Sequence, residues 1–367
     1  MVRQFFLPML RAQTDLGHQV SICGSEDVDA QFLRDQGFDV YPHYLSRSLN
    51  PITLIKAIRR VKKFLLELEI DVVICHSPIG AGVGRLAAIL AHTPKVIYFA
   101  HGLPCAPAQN RLAWLFWFTL EKILGRFTDA ILVMNDYDEN LARKRKLIKN
   151  PNNIFRIPGM GVDLDKFPAT TDPNLRSATE AEFNLTPDRK IILCVAQLFR
   201  RKGIFEYLEA ARQICAQRND VCFLLAGRGP MYDPLQTRIQ TYQLHDHFRL
   251  LGWREDVPRL MQAADLFVLP TYYFEGLPVA ILEAMACAKP VIATQHRGCQ
   301  DTVVQNQTGY LVPVKQIPSL VEKINFLLDN DPLRRQFGLN ARRRVEIHFA
   351  VPYCTQQILQ ALHPLLP

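Results

Sequence analysis

The 367-residue chain lacks any uninterrupted apolar run of the ~18 residues that a membrane-spanning helix needs. It lacks a secretory leader pattern too, because Arg3, Gln4 and Pro8 break up the first residues. Its nine cysteines form no CxxC pair and no metal-type spacing, so neither a zinc module nor a redox motif is expected. The count is odd, so a disulfide framework cannot use them all, and a reducing cytoplasm is the expected home. No tract is low in complexity and no internal repeat is visible, which argues against a disordered chain or a solenoid. The acidic strings Asp27-Val-Asp29, Asp163-Leu-Asp165 and Asp329-Asn-Asp331 do not follow strands as a metal–diphosphate site would require. No catalytic metal and no cofactor is therefore expected.

What the chain does have is ample apolar material. With 49% hydrophobic and 21% charged residues, two domains can each bury a core, and two is the prior for this length. The net charge of +8 suits an anionic partner: a nucleotide, a diphosphate lipid, an acidic membrane or nucleic acid. Nucleic acid is the least expected, since the cations cluster beside apolar helices rather than among stacking aromatics on a sheet.

One stretch organises the rest, Asp265 to Thr294. Asp265–Pro270 reads as a buried strand, and Thr271–Gly276 as a polar-aromatic loop. Pro278 stands at the first position of a helix over Val279–Ala288, which Lys289-Pro290 ends. Val291–Ala293 resume a strand, so the stretch is one βαβ unit of a parallel sheet. Glu275 and Glu283 interrupt this apolar text. A buried carboxylate is costly unless paired. It can instead accept hydroxyls of a ribose or a hexose at the C-terminal mouth of the sheet. The N–H groups of Gly276 and Leu277 open the helix and suit a phosphate. A structural Glu at a helix contact is the competing reading of Glu283.

These residues resemble a known family. Glu275-Gly-Leu-Pro, Glu283-Ala-Met-Ala, Pro290-Val-Ile-Ala, Gly298-Cys299 and Gly309-Tyr-Leu-Val-Pro313 are similar to retaining glycosyltransferases of family 4. The resemblance implies an α/β fold of two Rossmann-like domains facing a cleft, the GT-B architecture. The expected boundaries are 1–167 for the acceptor domain, joined by a tail helix over 351–367, and 168–350 for the donor domain. By the same resemblance the N-terminal domain begins at its first helix and lacks its central first strand, through a late start or a truncation. It also implies that Glu283 binds the ribose and Glu275 the sugar hydroxyls, while Trp253 and Arg254 lie on the loop against the base. Arg200, Arg201 and Lys202 sit on a strand-to-helix turn. Lys202 matches a diphosphate-binding lysine of the family, and Arg200 or Arg201 stands in for the family's arginine, whose own position holds Gln197, with Arg200 favoured. His101-Gly102 follows the strand Lys95–Ala100; the histidine is structural by spacing alone but contacts the transferred sugar by resemblance.

Two further features sit in the N-terminal half. Asn110–Phe127 carries Trp114 and Trp117 and reads either as a buried helix or as an interfacial one. Arg143, Lys144, Arg145, Lys146 and Lys149 follow it, as a solvated face or as a contact for anionic lipid. Gly80–Gly84 suits close helix packing or a ligand equally. The favoured expectation is a metal-independent enzyme that moves a sugar from a nucleoside diphosphate, with uridine favoured, to a polyprenyl-diphosphate-linked glycan in surface-polysaccharide synthesis. It would work from the cytoplasm at the inner face of the membrane. A non-catalytic lipid- or partner-binding subunit and a nucleotide-sugar epimerase are the alternatives.

Overall fold

A computed structural model of the chain describes residues 6–24, 28–42, 50–105, 110–169, 172–272 and 275–366. The helix start expected before Phe6, Asp27, and Tyr273 and Phe274 of the aromatic loop lie outside these residues. The chain divides into two compact units, Met1–Gly161 with Val351–Pro367, and Val162–Ala350.

Unit 1 alternates helix and strand. Its helices are α1 (Leu7–Asp15), α2 (Val28–Asp35), α3 (Pro51–Glu67), α4 (Pro78–Ala91), α5 (Arg111–Leu124) and α6 (Asp136–Lys144). Its strands are β1 (Ser21–Gly24), β2 (Asp39–Pro42), β3 (Val72–His76), β4 (Lys95–Phe99), β5 (Ala130–Val133) and β6 (Ile154–Arg156). Among the described residues β1 and β2 pair in parallel, and β3 to β6 form a second, four-stranded parallel sheet. β4 and β5 are buried almost throughout, as strands covered by helices on both faces must be. The glycine run lies inside α4, where a Cβ on Gly84 would stand 2.6 Å from the Cys75 sulfur of β3. Close packing therefore explains it.

Two contacts fix how α5 sits. Arg85 of α4 and Glu121 of α5, both fully buried, form an ion pair at 2.8 Å, and the Arg85 guanidinium lies 4.3 Å over the Tyr98 ring. Burial pushes the Glu121 carboxyl up while Arg85 pulls it down. At the end of α5, a Cβ on Gly125 would stand 1.9 Å from the Leu147 carbonyl oxygen, so only glycine allows this approach.

Unit 2 carries α7 (Pro173–Glu182), β7 (Lys190–Val195), α8 (Ile204–Cys215), β8 (Val221–Ala226), α9 (Tyr232–Thr241), β9 (Phe248–Gly252) and α10 (Val257–Ala263). It continues with β10 (Leu266–Leu269), α11 (Val279–Ala286), β11 (Val291–Thr294), α12 (Cys299–Thr302), β12 (Gly309–Val312), α13 (Ile317–Leu328) and α14 (Asp331–His348). All strands pair in parallel in the order β12-β11-β10-β7-β8-β9. The order reverses between β7 and β10, which makes that point the topological switch of a doubly wound sheet. Pro278 is the N-cap of α11 rather than its first helical residue.

The unit boundary falls at Gly161/Val162, ahead of the expected 167/168. Val162 N–H donates to the Phe349 carbonyl at 2.8 Å, and the Phe167 carbonyl accepts from Arg342 at 2.9 Å, so this segment belongs to unit 2. Past Ala350 the last helix, α15 (Val351–Leu362), packs on α1 in unit 1.

Replacing Glu121 with Ala strands the buried Arg85 charge. Urea unfolding should show a loss of about 3–5 kcal/mol. Replacing both partners with methionine should cost less than that; equal or larger losses in the double variant would contradict the pairing.

Candidate active site

In an open parallel sheet, ligands bind beyond the carboxyl ends of the strands where the order reverses. Two loops meet there in unit 2. The loop after β7 runs through a short 3-10 turn, Arg200–Lys202, to Gly203. The loop after β10 runs from Pro270 to Pro278. Gly203 has φ +74°, and a Cβ there would stand 2.0 Å from the Pro270 carbonyl oxygen. The Tyr272 N–H donates to the Arg201 carbonyl at 2.9 Å. The loops are thus stitched together through their backbones.

Side chains complete the junction. The Lys202 ammonium pairs with Glu275 Oε1, across 73 residues of sequence. Thr271, fully buried, donates to the same oxygen at 3.1 Å. The Thr294 hydroxyl at the end of β11 donates to the Thr271 carbonyl, holding the loop from its other side. Gly298, at φ +79°, passes so close that a Cβ would stand 2.8 Å from the Gly276 carbonyl oxygen and 3.0 Å from that of Glu275. Glu275, Gly276 and Leu277 are all buried.

Glu283 lies one helix further in, on α11, and is buried. Burial pushes its carboxyl up to about 7, opposed by the charge of Lys166. The two glutamates therefore differ in kind, one ion-paired at the loop junction and one in a poorly solvated wall.

The remaining predicted donor residues separate. Arg200 is exposed and stacks over Phe205 at 5.0 Å, beside the junction. Trp253 is 61% exposed, with the Arg228 guanidinium 4.6 Å over its ring. Arg254 does not share this freedom. It binds both oxygens of Asp256 at 2.8 Å and Glu182 of α7 at 2.8 Å, an ion-pair cluster that Arg259 joins. Its guanidinium joins α7 to the β9–α10 turn.

In unit 1, His101 follows β4 and meets His76 at the end of β3, Nε2 to Nδ1, at 3.1 Å. Phe99 stacks on His101 at 5.0 Å, and Phe6 packs edge-on at 5.5 Å. Burial pushes His101 down to about 4, and burial followed by the His101 charge pushes His76 down. Both rings are neutral near pH 7, one donating to the other. The loop after His101 is anchored by buried Asp138, which accepts the Leu103 N–H at 3.0 Å.

The aromatic and basic residues are also redistributed. Trp114 stacks on Phe118 at 4.9 Å, and Trp117 packs against Phe116; both tryptophans are only half exposed. Arg143 is engaged structurally, with Glu139 at 2.9 Å and the carbonyls of Pro151 and Ile154 at 2.8 and 2.6 Å. Lys144, Arg145 and Lys146 are exposed. Thr271, Arg228 and His76 were missed in the sequence; only the position of His76 at a strand's end could have marked it. Among the described residues, no three His, Cys, Asp or Glu side chains group so as to hold a metal ion.

Comparison with known proteins decides the family. Residues 3–166 match the family described as glycosyltransferase family 4, and residues 176–344 match glycosyl transferases group 1. The N,N'-diacetylbacillosaminyl-diphospho-undecaprenol alpha-1,3-N-acetylgalactosaminyltransferase of Campylobacter jejuni is 30% identical over 349 residues, 93% of this chain and 90% of its own. The chain belongs to glycosyltransferase family 4. An Escherichia coli UDP-Gal:alpha-D-GlcNAc-diphosphoundecaprenol alpha-1,3-galactosyltransferase is 29% identical over 328 residues, 88% of this chain and 83% of its own. Among solved structures, HepE of Anabaena with UDP and glucose superimposes with a TM-score of 0.82 at 19% identity, over 98% of this chain and 94% of its own. Sucrose-phosphate synthase of Thermosynechococcus elongatus gives 0.82 at 23% identity, over 97% of this chain and 91% of its own. These likenesses are of fold: α/β, with Rossmann-like units of the GT-B type. The matches make the protein a glycosyltransferase and lend no support to an epimerase or a non-catalytic subunit.

The Glu283 carboxyl carries a pH signature. Its native pKa lies above the unfolded value, so its neutral form stabilises the fold at low pH and that contribution is lost as pH rises from about 4.5 through about 7. In unfolding measurements Glu283→Gln should gain on the native protein by about 3 kcal/mol between pH 4 and pH 8. A gap that does not change with pH would contradict this.

Proposed function

We propose that this glycosyltransferase moves a sugar from a uridine diphosphate donor to a hydroxyl of a lipid-diphosphate-linked glycan, with retention, at an anionic membrane surface. The observation that carries the donor half is the Lys202–Glu275–Thr271 junction at the switch point of the unit 2 sheet. The activities of the two bacterial relatives, both on diphospho-undecaprenol-linked sugars, support the acceptor half.

Lys202 exchanges its partner when the donor arrives, passing from Glu275 to the diphosphate, with Arg200 beside it. Those cations meet the charge that develops on the leaving group, where fixed charges act most strongly. Glu275, released, accepts sugar hydroxyls. Gly276 and Leu277 open α11 toward the phosphates. Glu283 accepts from the ribose, and Trp253 lies against the base. In unit 1, His101 hydrogen-bonds the sugar as a neutral imidazole. The anomeric carbon–phosphate oxygen bond breaks as the acceptor oxygen bonds on the same face. The acceptor proton passes to the leaving phosphate oxygen.

The test is transfer from UDP-glucose, UDP-galactose and their N-acetyl forms to an undecaprenyl-diphosphate-linked sugar, with the product's anomeric configuration read by NMR. One donor should give an α-linked product, and Lys202→Met should lower kcat/KM by about a hundredfold or more. A β-linked product, or unchanged turnover in Lys202→Met, would overturn the reading.

A further inference from the structure

The rotation of α5 leaves an unusual face in solvent. Phe118 packs on the core of unit 1, Glu121 is locked to Arg85, and Gly125 is pressed on Leu147. With that side fixed inward, the outward stripe is Leu112, Leu115, Phe116, Thr119 and Ile123. These positions share one side of a helix. Its four apolar members are each more than half exposed, Leu112 at 77%. A solvated helix carries charge on such a face. Here the charges stand at its ends: Arg111 at the start and Arg126 just past the finish, both exposed.

More positive charge adjoins the C-terminal end. Lys122 donates to the carbonyls of Arg145 (2.6 Å) and Lys146, and the Gly125–Leu147 contact brings the same segment up against α5. The segment that carries the exposed Lys144, Arg145 and Lys146 therefore lies against the C-terminal end of α5. The acids at the other end of α6 are already engaged, Asp136 with Arg156 at 3.0 Å and Glu139 with Arg143 at 2.9 Å. No described helix is long and apolar enough to cross a membrane, and the 14 residues of α5 span only about 21 Å.

We infer that α5 lies flat in the headgroup layer of an anionic bilayer, dipping Leu112, Leu115, Phe116 and Ile123, while Arg126 and Lys144–Lys146 meet the lipid phosphates. This rests on the proposed lipid-linked acceptor and names the surface that meets its membrane. The tryptophans, expected to lead, support the stripe from behind.

Co-sedimentation tests it, with vesicles of phosphatidylcholine alone and of phosphatidylcholine and phosphatidylglycerol in equal parts. The full chain should bind the anionic vesicles and release them at high salt. Leu115→Glu with Phe116→Glu should cut binding more than about tenfold. Replacing Lys144, Arg145 and Lys146 with Ala should cut it by about fivefold per cation. Both variants should keep the native UDP affinity, and Leu112→Glu serves if the double variant does not fold. Equal binding to neutral vesicles, equal binding by the variants, or a dimer that these variants dissolve without any vesicle binding would overturn the inference. UDP binding without vesicle binding would sink the surface alone. Vesicle binding without UDP binding would support the surface and sink the donor reading.

Discussion

Glu275 is a buried carboxylate, and burying one is expensive unless a cation and hydrogen bonds accompany it. Lys202 and Thr271 are that company. The need to supply them from two loops shapes the end of the sheet. The β7 loop must turn sharply enough to present a lysine, and glycine at position 203 lets it press on Pro270. The β10 loop must bring its carboxylate back over Thr271, which Thr294 holds from β11. Gly298 then closes on the backbone of Glu275 and Gly276. The strand order puts β7 next to β10, so these requirements fall at one place.

Much of the fold is legible in the sequence because parallel strands buried on both faces leave unbroken apolar runs. Ile191–Cys194 and Leu266–Leu269 read as strands for that reason, and both are fully buried. The Glu275–Glu283 spacing marks the site because carboxylates are conspicuous in such text. What sequence could not show is which polar groups meet. Lys202 and Glu275 read as two separate ligand contacts, yet they pair with each other across 73 residues. Arg254 reads as a loop residue beside a nucleotide, and sequence gives no sign that it also pairs with Asp256 and Glu182. The rotation of α5 was equally hidden. Tryptophans suggest an interface by type, whereas Glu121 sets the helix against Arg85.

Unit 1 joins its features through α6. The helix is capped by Asn135, whose side chain accepts the Asp138 N–H and donates to the Asp138 carboxylate. Asp138 in turn holds the loop that follows His101. The other end of α6 carries the exposed cations beside α5. One short helix thus holds the loop after His101 at one end and carries a basic rim at the other.

On the proposed reading, the Lys202–Glu275 junction opens to receive the donor's diphosphate. Calorimetric titration of UDP and of UDP-sugars into the native protein, Lys202→Met and Glu275→Gln tests it most directly. Lys202→Met should weaken both ligands by about tenfold or more, the worth of a charge-assisted hydrogen bond. Glu275→Gln should spare UDP and weaken only the UDP-sugar. Unchanged UDP affinity in Lys202→Met would leave the pair as a structural clasp with no part in holding the donor.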